Sequence, residues 1–271
     1  MNATVHSNST EQSLIASARG VLIAGVCTLV LAIVMGAASN APPFAESELN
    51  PGFQSTNAIL WFELAHNEAE VRALLTPAQP DANLRAALDT LNYYDFPFMF
   101  AYGFLLLAMM CFARDLLRQR GAAMFSSMVF FTTGLVLIPM VISGDIMENL
   151  QLLKLTRYEA AQSIPFETIL NLEIFTRMKW GTIFLACAHL GVSYLALGLA
   201  SSETRTSAWA RAPFLVLGLL FLIAVVPGTI ALVSLERRAL LEIATLVMIV
   251  AWLGVLVHAG THVFRRTGRL S

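Results

Sequence analysis

APFLVLGLLFLIAVVPGTIALVSL, residues 212–235, is 24 residues long and contains no Asp, Glu, Lys or Arg. A bilayer core about 30 Å thick is crossed by roughly 20 apolar residues rising about 1.5 Å each. This stretch is therefore long enough to span a membrane as a helix. A helix satisfies its own backbone groups in lipid, whereas a sheet edge there would leave them bare. Working outward, the same charge-free criterion finds Gly20–Ala45, Phe96–Ala113, Gly121–Gly144, Trp180–Ser202 and Ile243–Val263. The second window is short, and Tyr93 and Tyr94 extend it at the interface.

The fold class read from this pattern is all-α: an integral membrane bundle of six transmembrane helices in a single domain. The expected spans are 18–39, 94–113, 121–144, 178–200, 212–235 and 241–263, with an outer cap over 40–92. Composition agrees, since 57% of residues are hydrophobic, 13% are charged and the mean hydropathy is +0.68. Soluble domains carry about 25% charged residues. A disordered chain, a nucleic-acid binder with a basic face and an ordinary cytosolic enzyme are thereby excluded. The lipid bilayer is the first expected partner.

Loop charges set the orientation. With the N-terminus placed inside, segments 1–19, 114–120, 201–211 and 264–271 hold nine Lys+Arg and three acids in 45 residues. Segments 40–95, 145–179 and 236–242 hold eight Lys+Arg and fifteen acids in 98 residues. Basic density is over twofold higher in the first set, so the positive-inside rule predicts two cytoplasmic termini. The expected location is the cell membrane, specifically a bacterial inner membrane. The sequons at Asn2 and Asn8 would then never meet a glycosylation enzyme. The basic tail Arg265-Arg266-Thr267-Gly268-Arg269 suits anionic headgroups.

Gly36-Ala37-Ala38 resembles a signal-peptide cleavage site. Against cleavage, Ala16, Gly20, Ala24, Thr28, Ala32 and Gly36 recur every fourth residue. Such a seam of small residues lets another helix approach, which favours a retained span and offers a contact for a membrane partner. Cys27, Cys111 and Cys187 lie within spans without a Cys-x-x-Cys spacing and imply no disulfide.

Between the first two spans, Pro42–Ser55 is rich in Pro and Ser. Ile59–Arg72 and Leu84–Leu91 carry apolar residues at helical spacing and are interrupted by Pro77 and Pro80. They read as amphipathic helices on the outer surface, more naturally a covering lid than a ligand gate. Beneath them polar groups converge. Asp145, Glu148 and Asn149 share a helix face at i, i+3 and i+4; Lys179 begins the fourth span; Asp95 begins the second, with Tyr102 two turns below. Ionisable groups at such depth face the bundle interior and mark a site or a pairing network. Both readings stay open. As a site, the carboxylates beside an amide could hold a hard cation or share a proton. As structure, Lys179 pairs with Asp145 or Asp95, and Asn149 caps a neighbouring backbone.

The order Phe62-Glu63-Leu64-Ala65, Tyr94-Asp95-Phe96 with Tyr102-Gly103, Asp145-x-x-Glu148-Asn149 and Lys179-Trp180 resembles a family of uncharacterised multi-pass bacterial membrane proteins. The resemblance covers roughly residues 20–200. It implies the helical membrane fold and the outer polar cluster, and no reaction, because that family has no known activity.

His258 and His262, at i, i+4 near the inner end of the last span, are weak candidates for a metal. A third ligand is wanting. His189 sits about 9 Å away in depth by helical rise, and His66 lies across the membrane. Interfacial solvated histidines are the better expectation. No Gly-x-Ser-x-Gly elbow, P-loop, His-Glu-x-x-His or dinucleotide glycine pattern occurs, and no cofactor is expected. The leading functional expectation is binding or transport of a lipid, small amphiphile or cation at Asp95, Tyr102, Asp145, Glu148, Asn149 and Lys179. The alternatives are an intramembrane enzyme using those carboxylates, and a structural subunit of a membrane complex.

Overall fold

The computed structural model describes residues 2–39, 58–75, 82–120, 124–159, 162–199, 208–234 and 239–267. The expected Pro/Ser-rich stretch Pro42–Ser55 lies outside the described residues. Among those described there is helix and no strand. The helices are α1 (Asn2–Ser39), α2 (Ala58–Glu63), α3 (Glu68–Leu75), α4 (Ala82–Gln119), α5 (Met124–Leu155), α6 (Phe166–Leu199), α7 (Ala208–Val233) and α8 (Ala239–Thr267).

Six of them, α1 and α4 to α8, are long and apolar enough to cross a membrane. They close into a ring in which α1 packs on α4, α4 on α5, α5 on α6, α6 on α7, α7 on α8 and α8 back on α1; α6 also reaches α4. α6 buries the largest share of its span and α1 the smallest. Outward faces remain apolar, as at Leu185, Ile223 and Leu246, which is what a lipid solvent requires.

α4 is longer than its charge-free window. It starts at Ala82, so Leu84–Leu91 is continuous with the second span and runs straight through Pro97. Proline removes the bond to the carbonyl of residue i−4, here Tyr93. Tyr93 is among the exposed residues of this helix, where the freed carbonyl can find another partner.

α2 and α3 form a small cap at the end of the bundle where α4 begins, and α2 rests on α5 and α6. The cap has its own apolar core of Trp61, Phe62, Val71, Leu74, Leu88 and Leu172, among others. Asn67 caps α3 by accepting from the Glu70 N–H at 2.8 Å, and Glu70 reaches back to the His66 N–H at 3.2 Å. Arg85 then ties the cap down. Its guanidinium donates to the carbonyls of Leu75 (3.3 Å), Thr156 (3.0 Å) and Tyr158 (2.9 Å), satisfying orphan carbonyls at the ends of α3 and α5. Beside it, the Arg72 side chain holds the Glu68 carboxyl below the usual carboxylate range.

The small-residue seam of α1 packs in part. The buried face is Leu14, Ala18, Val21, Gly25 and Thr28, which shares only Thr28 with the seam, while Ala16 and Gly36 are exposed. A Cβ on Gly25 would run into the Leu256 side chain of α8. From Leu29 to Ala37 no residue of α1 is buried, so the helix leaves the bundle on the cap side of this contact. At the opposite end Asp115, 1% exposed, accepts from Ser13 Oγ at 2.8 Å and Arg114 Nε at 2.9 Å, pinning α1 to α4.

Candidate functional site

Four elements bring acidic and basic groups to one level beneath the cap. α5 presents Asp145, Glu148 and Asn149 on one face, and α6 presents Thr176, Lys179 and Trp180 at the same i, i+3, i+4 spacing. The two faces meet because residue 144 is glycine. A Cβ there would stand 2.9 Å from the Lys179 backbone nitrogen and 3.1 Å from its Cα. α4 adds Asn92, Asp95 and Tyr102. Glu63 enters from above at the end of α2.

Lys179 is the centre. Its Nζ lies 2.6 Å from Glu148 Oε2, 3.1 Å from Glu63 Oε1 and 2.8 Å from Asp145 Oδ1. The first two are hydrogen bonds; the third is an ion contact out of line for one. Asp145 also accepts from the Tyr102 hydroxyl. Glu63 accepts from Trp180 Nε1 at 3.0 Å. The Thr176 hydroxyl bridges the Glu63 carbonyl, at 3.0 Å, and Glu148 Oε1. Asp145 and Glu148 are fully buried, and Lys179 and Glu63 nearly so. Isolated charges this deep would be prohibitive; an ammonium shared among carboxylates that have further donors is the arrangement that tolerates burial.

Asp95 stands apart. Asn149 Nδ2 donates to its Oδ2 at 2.8 Å, and no cation lies within ion-pair distance among the described residues. The pairing expected from sequence thus takes a different form. Lys179 engages Asp145, Glu148 and Glu63 and leaves Asp95 to an amide, and Asn149 serves a side chain rather than a backbone group. Four carboxyl groups thus face one ammonium.

A cavity of about 220 Å³ adjoins the cluster. Its polar side is Glu63, Asn92, Asp95, Tyr102, Asp145 and Lys179; its walls include Leu60, Leu91, Phe98, Ile183, Met248 and Trp252. Met35 of α1 and the exposed Ile249 of α8 lie on the side where α1 leaves the bundle. Asn92 is 1% exposed, and among the described residues neither its Oδ1 nor its Nδ2 has a hydrogen-bond partner.

The six residues expected from sequence are therefore gathered in one place. Sequence reasoning missed Glu63, Asn92, Thr176 and Trp180 as members. Glu63 had a signal, being the one charge in the apolar run Ile59–Ala65. Asn92 is one helical turn before Asp95 and shares its face.

The histidines do something else. His258 and His262 lie 5.1 Å apart between ring centroids and edge-on to Phe112; His258 also meets Phe214 at 5.0 Å and Tyr194 at 6.2 Å. They are half-buried in an aromatic cluster rather than solvated at the interface. Among the described residues, no three His, Cys, Asp or Glu are grouped so as to hold a metal ion.

Comparison of the chain with protein-family models, curated proteins and solved structures returns no match.

Proposed function

We propose that this multi-pass membrane protein binds a lipid or small amphiphile in the cavity beneath its cap, at a polar cluster facing the outer side of a bacterial inner membrane. The observation that carries the reading is Asn92. A buried amide with both atoms unpartnered calls for an explanation, and here it lines a cavity with apolar walls on one side and charged groups on the other. An amphiphile matches both halves: its head supplies the missing hydrogen bonds and its chain covers the walls. The charge bias of the loops supports the outward orientation. The resemblance to a bacterial membrane family supports the compartment and adds no activity. Binding is favoured over catalysis because Lys179 already occupies Glu63, Asp145 and Glu148, leaving no free acid–base pair among them.

Native mass spectrometry from a mild non-ionic detergent tests the proposal, with wild type beside Asn92→Leu. A discrete co-purifying adduct on the wild type, diminished at least fivefold in the variant, is the expected result. Bare masses for both proteins, even after incubation with a total lipid extract, would remove the cavity as a binding site and leave the cluster as a structural staple.

A further inference from the structure

Building on the amphiphile reading, we infer that the head this cavity selects is a cationic alkylammonium, seated between Asp95 and Asn92, with its chain leaving between α1 and α8. Each part rests on a separate feature.

The charge comes from the count of groups at the cavity. Glu63, Asp145 and Glu148 all contact Lys179 Nζ within 3.1 Å. Asp95 has no such partner; it holds an amide on Oδ2 and is partly exposed where it lines the cavity. A cation entering from outside therefore meets one carboxyl group not already shared with the Lys179 ammonium. In a space walled by apolar side chains that attraction is weakly screened. An anionic head would face the surplus of carboxyls instead.

The hydrogen bonding comes from Asn92. It lies one helical turn before Asp95 on α4, so both side chains address the same part of the cavity. Its Oδ1 is an unpartnered acceptor, suited to an N–H donor, and its Nδ2 is an unpartnered donor, suited to a hydroxyl or ester oxygen next to the ammonium. Aromatic groups complete the setting, since Tyr102, Phe98 and Trp252 line the same space and cations favour ring faces.

The route for the chain comes from α1. Contact between α1 and α8 is close at Gly25 and Leu256. Beyond Thr28 no described residue of α1 is buried, and Met35 and Ile249 both line the cavity. A space of about 220 Å³ suits a head and its first carbons. The remaining chain passes through this gap into the acyl region.

The test uses four full-length proteins in mild non-ionic detergent: wild type, Asp95→Asn, Asn92→Leu and a distant control, Glu167→Gln. Asp95→Asn keeps an oxygen for the Asn149 donor, so the fold is retained, and matching thermal unfolding confirms it. Each is titrated with dodecylamine, dodecanol or dodecanoate, and bound probe is counted by native mass spectrometry. Expected is at least tenfold preference for dodecylamine over the other two in wild type and control. In Asp95→Asn the preference falls below twofold through loss of dodecylamine binding. If dodecanol and dodecanoate bind as well as the amine, with all three weakened in Asn92→Leu, the cationic head is overturned and the amphiphile site stands. If none of the three binds wild type, both readings fail together.

Discussion

Lys179 donates hydrogen bonds to Glu63 and Glu148 and makes an ion contact with Asp145, so three carboxyl groups depend on one ammonium. Replacing it by Met leaves Glu63, Asp145 and Glu148 crowded without a cation. Removing one partner from a buried ion cluster costs about 3–5 kcal/mol. We expect Lys179→Met to unfold well below wild type when far-UV circular dichroism is followed on heating in mild detergent. Lys179→Arg, which keeps the charge, should recover part of the loss. Unchanged unfolding in Lys179→Met would mean that the ion contacts contribute nothing net. The residues of this network differ in how visible they are in the sequence. Asp145, Glu148 and Asn149 announce themselves, being polar, three and four apart, and at the end of a charge-free run. Glu63 shows only as a lone charge in an apolar run, since its partner Lys179 lies 116 positions away and only the docking of the cap brings them together. Asn92 is harder still. Helical periodicity places it on the face of Asp95, but the absence of a partner is a property of the assembled bundle.

At the level of elements, α5 and α6 touch backbone to backbone at Gly144, and side-chain rotation relieves nothing there because the obstructing atoms are the Lys179 nitrogen and Cα. Gly144→Ala must move one helix. Overpacking of this kind costs about 1–3 kcal/mol, and the shift also draws Asp145 and Glu148 away from Lys179. We expect a lower thermal midpoint together with a weaker amphiphile adduct, measured on the same preparation. A stable variant with undiminished binding would mean that the interface is plastic and that the cluster does not depend on close approach. The spans themselves were legible because lipid permits one simple rule, a run without charge. The start of α4 was not. Pro77 and Pro80 read as interruptions, and Leu84–Leu91 has the amphipathic look of a separate surface helix. Only the packing of Leu88 into the cap core and the hold of Arg85 on α3 and α5 show why one continuous helix serves both layers.

For the whole molecule, the uneven distribution of basic residues carries a prediction that no local feature does. A reporter that fluoresces only in the cytoplasm, fused after Ser271, should light up in bacterial cells, whereas a phosphatase active only outside the cytoplasm should stay silent at that position. The reverse pattern would invert the topology and turn the cavity to the inner leaflet. The ring of six spans also has one incomplete seam, where the first helix parts from the eighth beyond Gly25 and Thr28. Among the described residues nothing closes that seam, and molecules surrounding the protein can supply the wall there. On the proposed route for the chain, the host membrane is a structural component of the chamber, and its chain length and thickness should tune occupancy as a mutation at Met35 or Ile249 would. Reconstitution into bilayers of graded thickness is then a way of editing the site without altering a residue.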